Sequence, residues 1–356
     1  MYRIGIIGVG RIAQTYFTVL RKIQGVEVAF LCDILPEQMT RAVKKFPDLL
    51  ARTGCFASSD DALNHVGPVD TVVIATPLSS HFFLARQVLK RGVRVLLEKP
   101  GVGKMEELET LYALAEENET EFQTMFHFAF APEVVRFLTL RDGLSRTFGP
   151  LRGFSCDFQD PGVRPKNEDG SEMAREDIST REHVGCYLDS GVNALSVLER
   201  VLTPTSELKN VSETWPGLDC VRVASHRAWY VPQSGNRNEE KKGPVVDTAS
   251  ITEYVAPGRG FSGVIRTDWE QGWNYKGTLL QFAYGTALLD HVEQTVVLTH
   301  FDTGRFVKIP CSDGTSRQEK EYENMFRHFF FTTESRTQTK QRDFRIHELL
   351  LEPEMV

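Results

Sequence analysis

The chain has 356 residues, of which 41% are hydrophobic and 25% charged, an ordinary globular composition with enough length for two separate cores. Its formal net charge of −7 excludes the basic footprint that nucleic-acid binding requires, so no nucleic-acid partner is expected. The six cysteines lie far apart without a C-x-x-C pair, and no apolar run reaches membrane-spanning length. These features exclude a zinc cluster, a dense disulfide frame and a membrane span. With no basic or apolar leader at the start, a cytoplasmic protein with reduced thiols is expected.

Up to about residue 145, short β-branched runs alternate with amphipathic stretches. Strands are predicted at Arg3 to Ile7, Val26 to Cys32, Thr71 to Ala75, Val93 to Leu97 and Glu121 to Phe126. Between the first two, Ile12, Tyr16, Phe17, Leu20 and Ile23 recur with the period of one helix face, and Pro36 opens the next helix. This rhythm predicts an α/β domain with a doubly wound parallel sheet over residues 1–126. After residue 150 the runs lengthen and alternate, as in "CVRVASHRAWYV" and "KGTLLQFAYGTALLDH". Residues 127–356 are therefore predicted to form an α+β domain with an open, mostly antiparallel sheet. Residues 162–185 and 232–244 read as polar loops, the first a candidate lid.

The first strand empties into Gly8-x-Gly10-x-x-Ala13, and Asp33 ends the second strand. Gly8 permits a tight turn, Gly10 admits a pyrophosphate close to the backbone, and Ala13 allows close packing of helix on strand. The amides of Arg11 and Ile12 face the negative charge. Asp33 would accept hydrogen bonds from an adenine ribose and repel a 2′-phosphate, favouring NAD with NADP as the second choice. Two more strands place polar groups beyond their carboxyl ends, where open α/β sheets bind ligands. They lead into Thr76, Pro77, Leu78 and His81, and into Glu98 and Lys99. A lysine fixed at the end of an apolar strand sits where desolvation can lower its pKa, or else escapes to solvent at the sheet edge. His127 follows the next strand, where packing and catalysis are equally open to it. In "GCYLDSGVNALSVLERVL", Asp189 and Asn193 are four apart and can address one ligand. Gly191 between them leaves space for a ring. Asn193 can orient a hydroxyl but cannot act as a base. The histidines show no metal spacing, and no metal is expected.

The order "GIIGVGRIA", "ATPLSSH", "EKP" and Asp-x-Gly resembles the glucose-fructose oxidoreductase and inositol dehydrogenase family, Gfo/Idh/MocA. The resemblance implies a Rossmann domain, a C-terminal open sheet that carries substrate and oligomer contacts, and Lys99 as the catalytic residue. The form D-x-G-x-N-A-L-S is similar to the L-arabinose and D-galactose 1-dehydrogenases, which oxidise an aldose at C1 to the lactone. In that subgroup a histidine corresponding to His127 lies near the nicotinamide, and the subgroup's acid and histidine on the first strand of the second domain would fall near Asp157 and Asp160 here, a departure in the sugar contacts. The implied mechanism brings Lys99 and Asp189 to one hydroxyl. A cyclitol, nucleotide-sugar or dihydrodiol substrate, or a non-catalytic binder of sugar or cofactor, are the alternatives. An exposed sheet needs cover, so a homodimer or homotetramer is expected.

Overall fold

Each aliphatic run in the first third of the chain becomes a buried strand, and each amphipathic segment the helix that returns across the sheet. The computed structural model describes residues 1–160, 185–203, 215–230, 247–270, 273–332 and 334–351. Strands β1 (Tyr2–Ile7), β2 (Val26–Cys32), β3 (Gly54–Phe56), β4 (Thr71–Ile74), β5 (Arg94–Glu98) and β6 (Phe122–Met125) pair in the order β3-β2-β1-β4-β5-β6. All five pairings are parallel. Between them run α1 (Arg11–Leu20), α2 (Pro36–Lys45), α3 (Pro47–Leu50), α4 (Ser59–His65), α5 (Leu78–Leu89) and α6 (Met105–Glu117). The strand order reverses between β1 and β4, which is where a sheet of this kind opens a crevice at its carboxyl edge. The doubly wound sheet expected from the sequence is present, and β3, too short to alternate, is an addition to it.

The second sheet begins after α7 (Pro132–Phe148) with β7 (Leu151–Gln159). It continues past α8 (Val192–Leu202) with β8 (Arg222–Tyr230), β9 (Asp247–Ala256), β10 (Phe261–Asp268), β11 (Tyr275–Phe282), β12 (Gly285–Asp290), β13 (Thr295–His300) and β14 (Phe306–Pro310). Their order is β14-β13-β12-β11-β7-β10-β9-β8. Only β7 and β10 pair in parallel among these neighbours. On β7, Phe154, Cys156 and Phe158 are buried, while Ser155, Asp157 and Gln159 point the other way and are partly open. The mostly antiparallel sheet is thus as expected, and the two polar loops fall almost wholly outside the described residues.

Two further helices follow, α9 (Arg317–Phe331) and α10 (Arg336–Leu351). The chain divides into one unit of Met1–Phe130 with Gln318–Phe344, and a second of Ala131–Arg317 with the chain from Arg345 on. The sequence division at 126 and 127 differs in assigning these helices, because α9 carries an aromatic stripe that completes the core of the first unit. Tyr322 and Phe326 pack edge-on to Tyr16 at 5.1 and 5.3 Å, and Phe330 lies 5.0 Å from Tyr2. No helix among the described residues is long and apolar enough to cross a membrane.

Candidate functional site

The two glycines of the first turn are required for different reasons. Gly8 adopts φ +94°, and a Cβ there would lie 2.5 Å from the carbonyl oxygen of Ala75. Its demand is therefore met by the neighbouring strand end, since Ile7 pairs with Ile74. Gly10 is the N-cap of α1, and a Cβ there would meet nothing within 4 Å. Behind it, α1 starts without a side-chain cap and without an acidic residue in its first turn. Orphan N–H groups and the positive end of the helix dipole are thus left for an anion, with Arg11 and Ile12 at the first two helical positions. These residues fit a dinucleotide's pyrophosphate.

Asp33 closes the turn from the side. Its Oδ2 accepts from the amide of Val9 at 2.7 Å and its Oδ1 from the amide of Leu35 at 2.9 Å. The carboxylate thereby ties the end of β2 to the glycine turn, and each oxygen keeps a second lone pair for a ligand hydroxyl.

The segment after β4 places Thr76, Pro77 and Leu78 at the start of α5, with Ser80 donating to the Thr76 hydroxyl at 2.7 Å. His81 is turned inward. It is 2% exposed, its Nε2 lies 2.7 Å from the Thr76 carbonyl, and its Nδ1 lies 3.2 Å from the carbonyls of Pro100 and Gly101. Burial pushes its pKa down, against the raising effect of the carbonyls that its two nitrogens face. His81 is a pin between two loops.

Glu98 is likewise held by this chain's own groups. Its Oε1 accepts from the hydroxyls of Tyr16 and Tyr322, the latter at 2.7 Å, and its Oε2 from the amide of Lys99 at 2.9 Å. Three donors meet a buried carboxylate that would otherwise be costly to desolvate. Burial and the Glu98 charge hold both tyrosines well above their usual range, so they remain donors. Lys99, half-buried and followed by a cis peptide to Pro100, leaves the sheet from this anchored backbone.

His127 sits on a short 3-10 turn, Nδ1 2.9 Å from Oε2 of Glu321. Its ring stacks on Tyr322, with centroids 4.7 Å apart and planes 21° apart. Glu321 and Tyr322 were not singled out from sequence; they lie 194 and 224 residues from the groups they bind, and no local spacing connects them.

In the second unit, Asp189 lies on a π-helical turn, Tyr187–Gly191, leading into α8. Such one-turn widenings occur often at functional sites. Asp189 is half-buried; Asn193 is 8% exposed and donates through Nδ2 to the backbone carbonyl of Asp189 at 3.2 Å. The space at Gly191 is filled by this chain's own ring, because a Cβ there would lie 2.8 Å from Cδ2 of Tyr187. That corrects the expectation of room for a ligand ring. Tyr187 is itself held by donation to the Leu349 carbonyl at 2.9 Å. Asp157 is paired with Arg266 at 3.3 Å and Asp160 with Lys276.

Residues 2–126 match the model of an oxidoreductase family with an NAD-binding Rossmann fold. The inositol 2-dehydrogenase of Arthrobacter sp. (strain FB24) is 36% identical over 99 residues, 28% of each chain. The UDP-N-acetylglucosamine 3-dehydrogenase of Acidithiobacillus ferrooxidans is 34% identical over 119 residues, 32% of this chain and 34% of that one. The chain therefore spans only about a third of the length of these curated relatives. An Agrobacterium radiobacter oxidoreductase, solved with NAD+, L-tartaric acid and magnesium, shares the fold across 99% of this chain and 96% of its own. The TM-score is 0.73 at 13% identity.

Proposed function

We propose, for a chain whose residues 2–126 match the Gfo/Idh/MocA oxidoreductase model, that it is an NAD(P)-dependent dehydrogenase oxidising an aldose at C1 to the lactone. The observation that carries this reading is the uncapped start of α1 behind Gly8 and Gly10, at the end of β1 in the same sheet whose β5 leads into Lys99. Cofactor binding is assigned to the first unit and sugar binding to the second. Asp33 offers carboxylate lone pairs to ribose hydroxyls and would repel a 2′-phosphate, which favours NAD over NADP. When bound, the nicotinamide supplies the hydride acceptor.

The chain's own residues handle the proton. Lys99 accepts a hydrogen bond from the C1 hydroxyl and takes its proton through Nζ when neutral, or steadies the alkoxide as an ammonium. Asp189 accepts from a sugar hydroxyl, Asn193 orients a second one, and His127 contributes a hydrogen-bonding nitrogen beside the nicotinamide. Lys99→Met is expected to lower turnover by roughly 100-fold or more at saturating cofactor. Reduced-nicotinamide absorbance measures it, and near-wild-type turnover would contradict the assignment.

A second reading, hydride transfer to or from a cyclitol or nucleotide-linked sugar, is supported by the activities for which the two curated relatives are named. Parallel assays of free aldoses, inositols and UDP-sugars separate the two readings. The six cysteines are free thiols, which supports a reducing, cytoplasmic setting. Strand β14 ends the second sheet with Phe306 and Val307 70% and 57% exposed, which supports a homodimer or homotetramer. Sedimentation as a single 40 kDa species would contradict that.

A further inference from the structure

We propose that Glu321 is a positioning residue that fixes the proton of His127 on Nδ1 and so presents Nε2 as a hydrogen-bond acceptor. Glu321 has no exposed surface, and its Oε2 lies 2.9 Å from Nδ1 of a histidine side chain that is 8% exposed. An ionised carboxylate can only accept, so the nitrogen that faces Glu321 is the one that carries a proton. The ring's plane is fixed as well, by the stack on Tyr322 at 4.7 Å and by Phe128, whose ring lies 5.0 Å away.

Tyr322 is in turn anchored through its hydroxyl to Glu98, the residue that holds the backbone of Lys99. Two adjacent residues of α9 thus hold the ring of His127 and, through Glu98, the backbone at Lys99. With Nδ1–H committed, Nε2 suits a ligand that donates, through a hydroxyl or an amide N–H. The catalytic half of this inference rests on the dehydrogenase reading; the tautomer half stands without it.

The test uses the full chain with 15N-labelled histidine, without substrate. Long-range proton–nitrogen spectra at neutral pH read the tautomer, and His127→Gln identifies the signal. Wild type is expected to show a singly protonated ring with the proton on Nδ1. Glu321→Ala, or the volume-preserving Glu321→Met should the first not fold, is expected to move the ring to Nε2–H or to a mixture. Protonation on Nε2 or on both nitrogens in wild type, or an unchanged tautomer in the variants, overturns the proposal.

Kinetics supply the second readout. With NAD and aldose, Glu321→Met is expected to lower kcat about 10-fold or more, with KM nearly unchanged. The double variant with His127→Gln should be no slower than His127→Gln alone, because a residue acting through another is non-additive with it. Additive losses overturn the positioning role. Wild-type turnover in His127→Gln overturns the catalytic half while leaving the tautomer result to report on Glu321 by itself.

Discussion

At the scale of single residues, the two glycines of the first turn separate folding from binding. Gly8→Ala puts a side chain at φ +94° and against the backbone of Ala75, and should destabilise the protein by about 2 kcal/mol or more. Gly10→Ala meets no protein atom within 4 Å, so its thermal midpoint should move little while its affinity for NAD falls roughly 10-fold or more. Calorimetry and nucleotide titration on both variants measure this; equal stability losses would contradict it. Both glycines were legible in the sequence, because the fingerprint reports local backbone needs. Gly191 was legible only as a missing side chain. What fills its space is Tyr187, four residues earlier, brought there by a π turn that has no pattern in the letters. His81 and Glu98 were read as ligand contacts for a similar reason: position at a strand end is visible in sequence, but the direction of the polar atoms depends on partners from other loops and from α9.

At the scale of elements, α9 and the part of α10 up to Phe344 belong to the nucleotide unit and should behave as such. Tyr322→Phe removes one of two hydroxyls from the buried carboxylate of Glu98, and is expected to cost about 1.5–3 kcal/mol in urea unfolding. No change would show that the contact is idle.

Asp343 binds α10 to its neighbours by accepting from the Tyr112 hydroxyl and the Thr124 amide, both at 2.8 Å. Burial raises its pKa to about 6 from 3.8, against the lowering effect of Arg342 and of these donors. A carboxyl whose folded pKa is raised favours folding while protonated. Its contribution is complete below about pH 4 and is lost as pH rises through about 6. Asp343→Asn should therefore be more stable than wild type at pH 7 relative to their difference at pH 4. A pH-independent difference would contradict the assignment. The first half of α10, up to Phe344, was not read as part of this domain, because a sequence pattern shows which face is apolar and not which core it completes. The strands fared better, since fully buried parallel strands read as continuous apolar runs, and only three-residue β3 escaped.

At the scale of the whole molecule, the two sheets differ as their sequences do. Near-continuous apolar strands make a parallel sheet between helices, and alternating strands make a mostly antiparallel one with a partly open face. The central claim is hydride transfer from C1 of an aldose to a nicotinamide, with the nucleotide held at the Gly8 and Gly10 turn. The most direct measurement incubates the full chain with NAD+ and C1-deuterated aldoses, L-arabinose and D-galactose first, and analyses the reduced nucleotide by mass and NMR. The account predicts one deuterium on the nicotinamide's C4 and none from the other ring positions. Reduced nicotinamide without deuterium, or no reduction from a panel of pentoses and hexoses with either NAD or NADP, would contradict it.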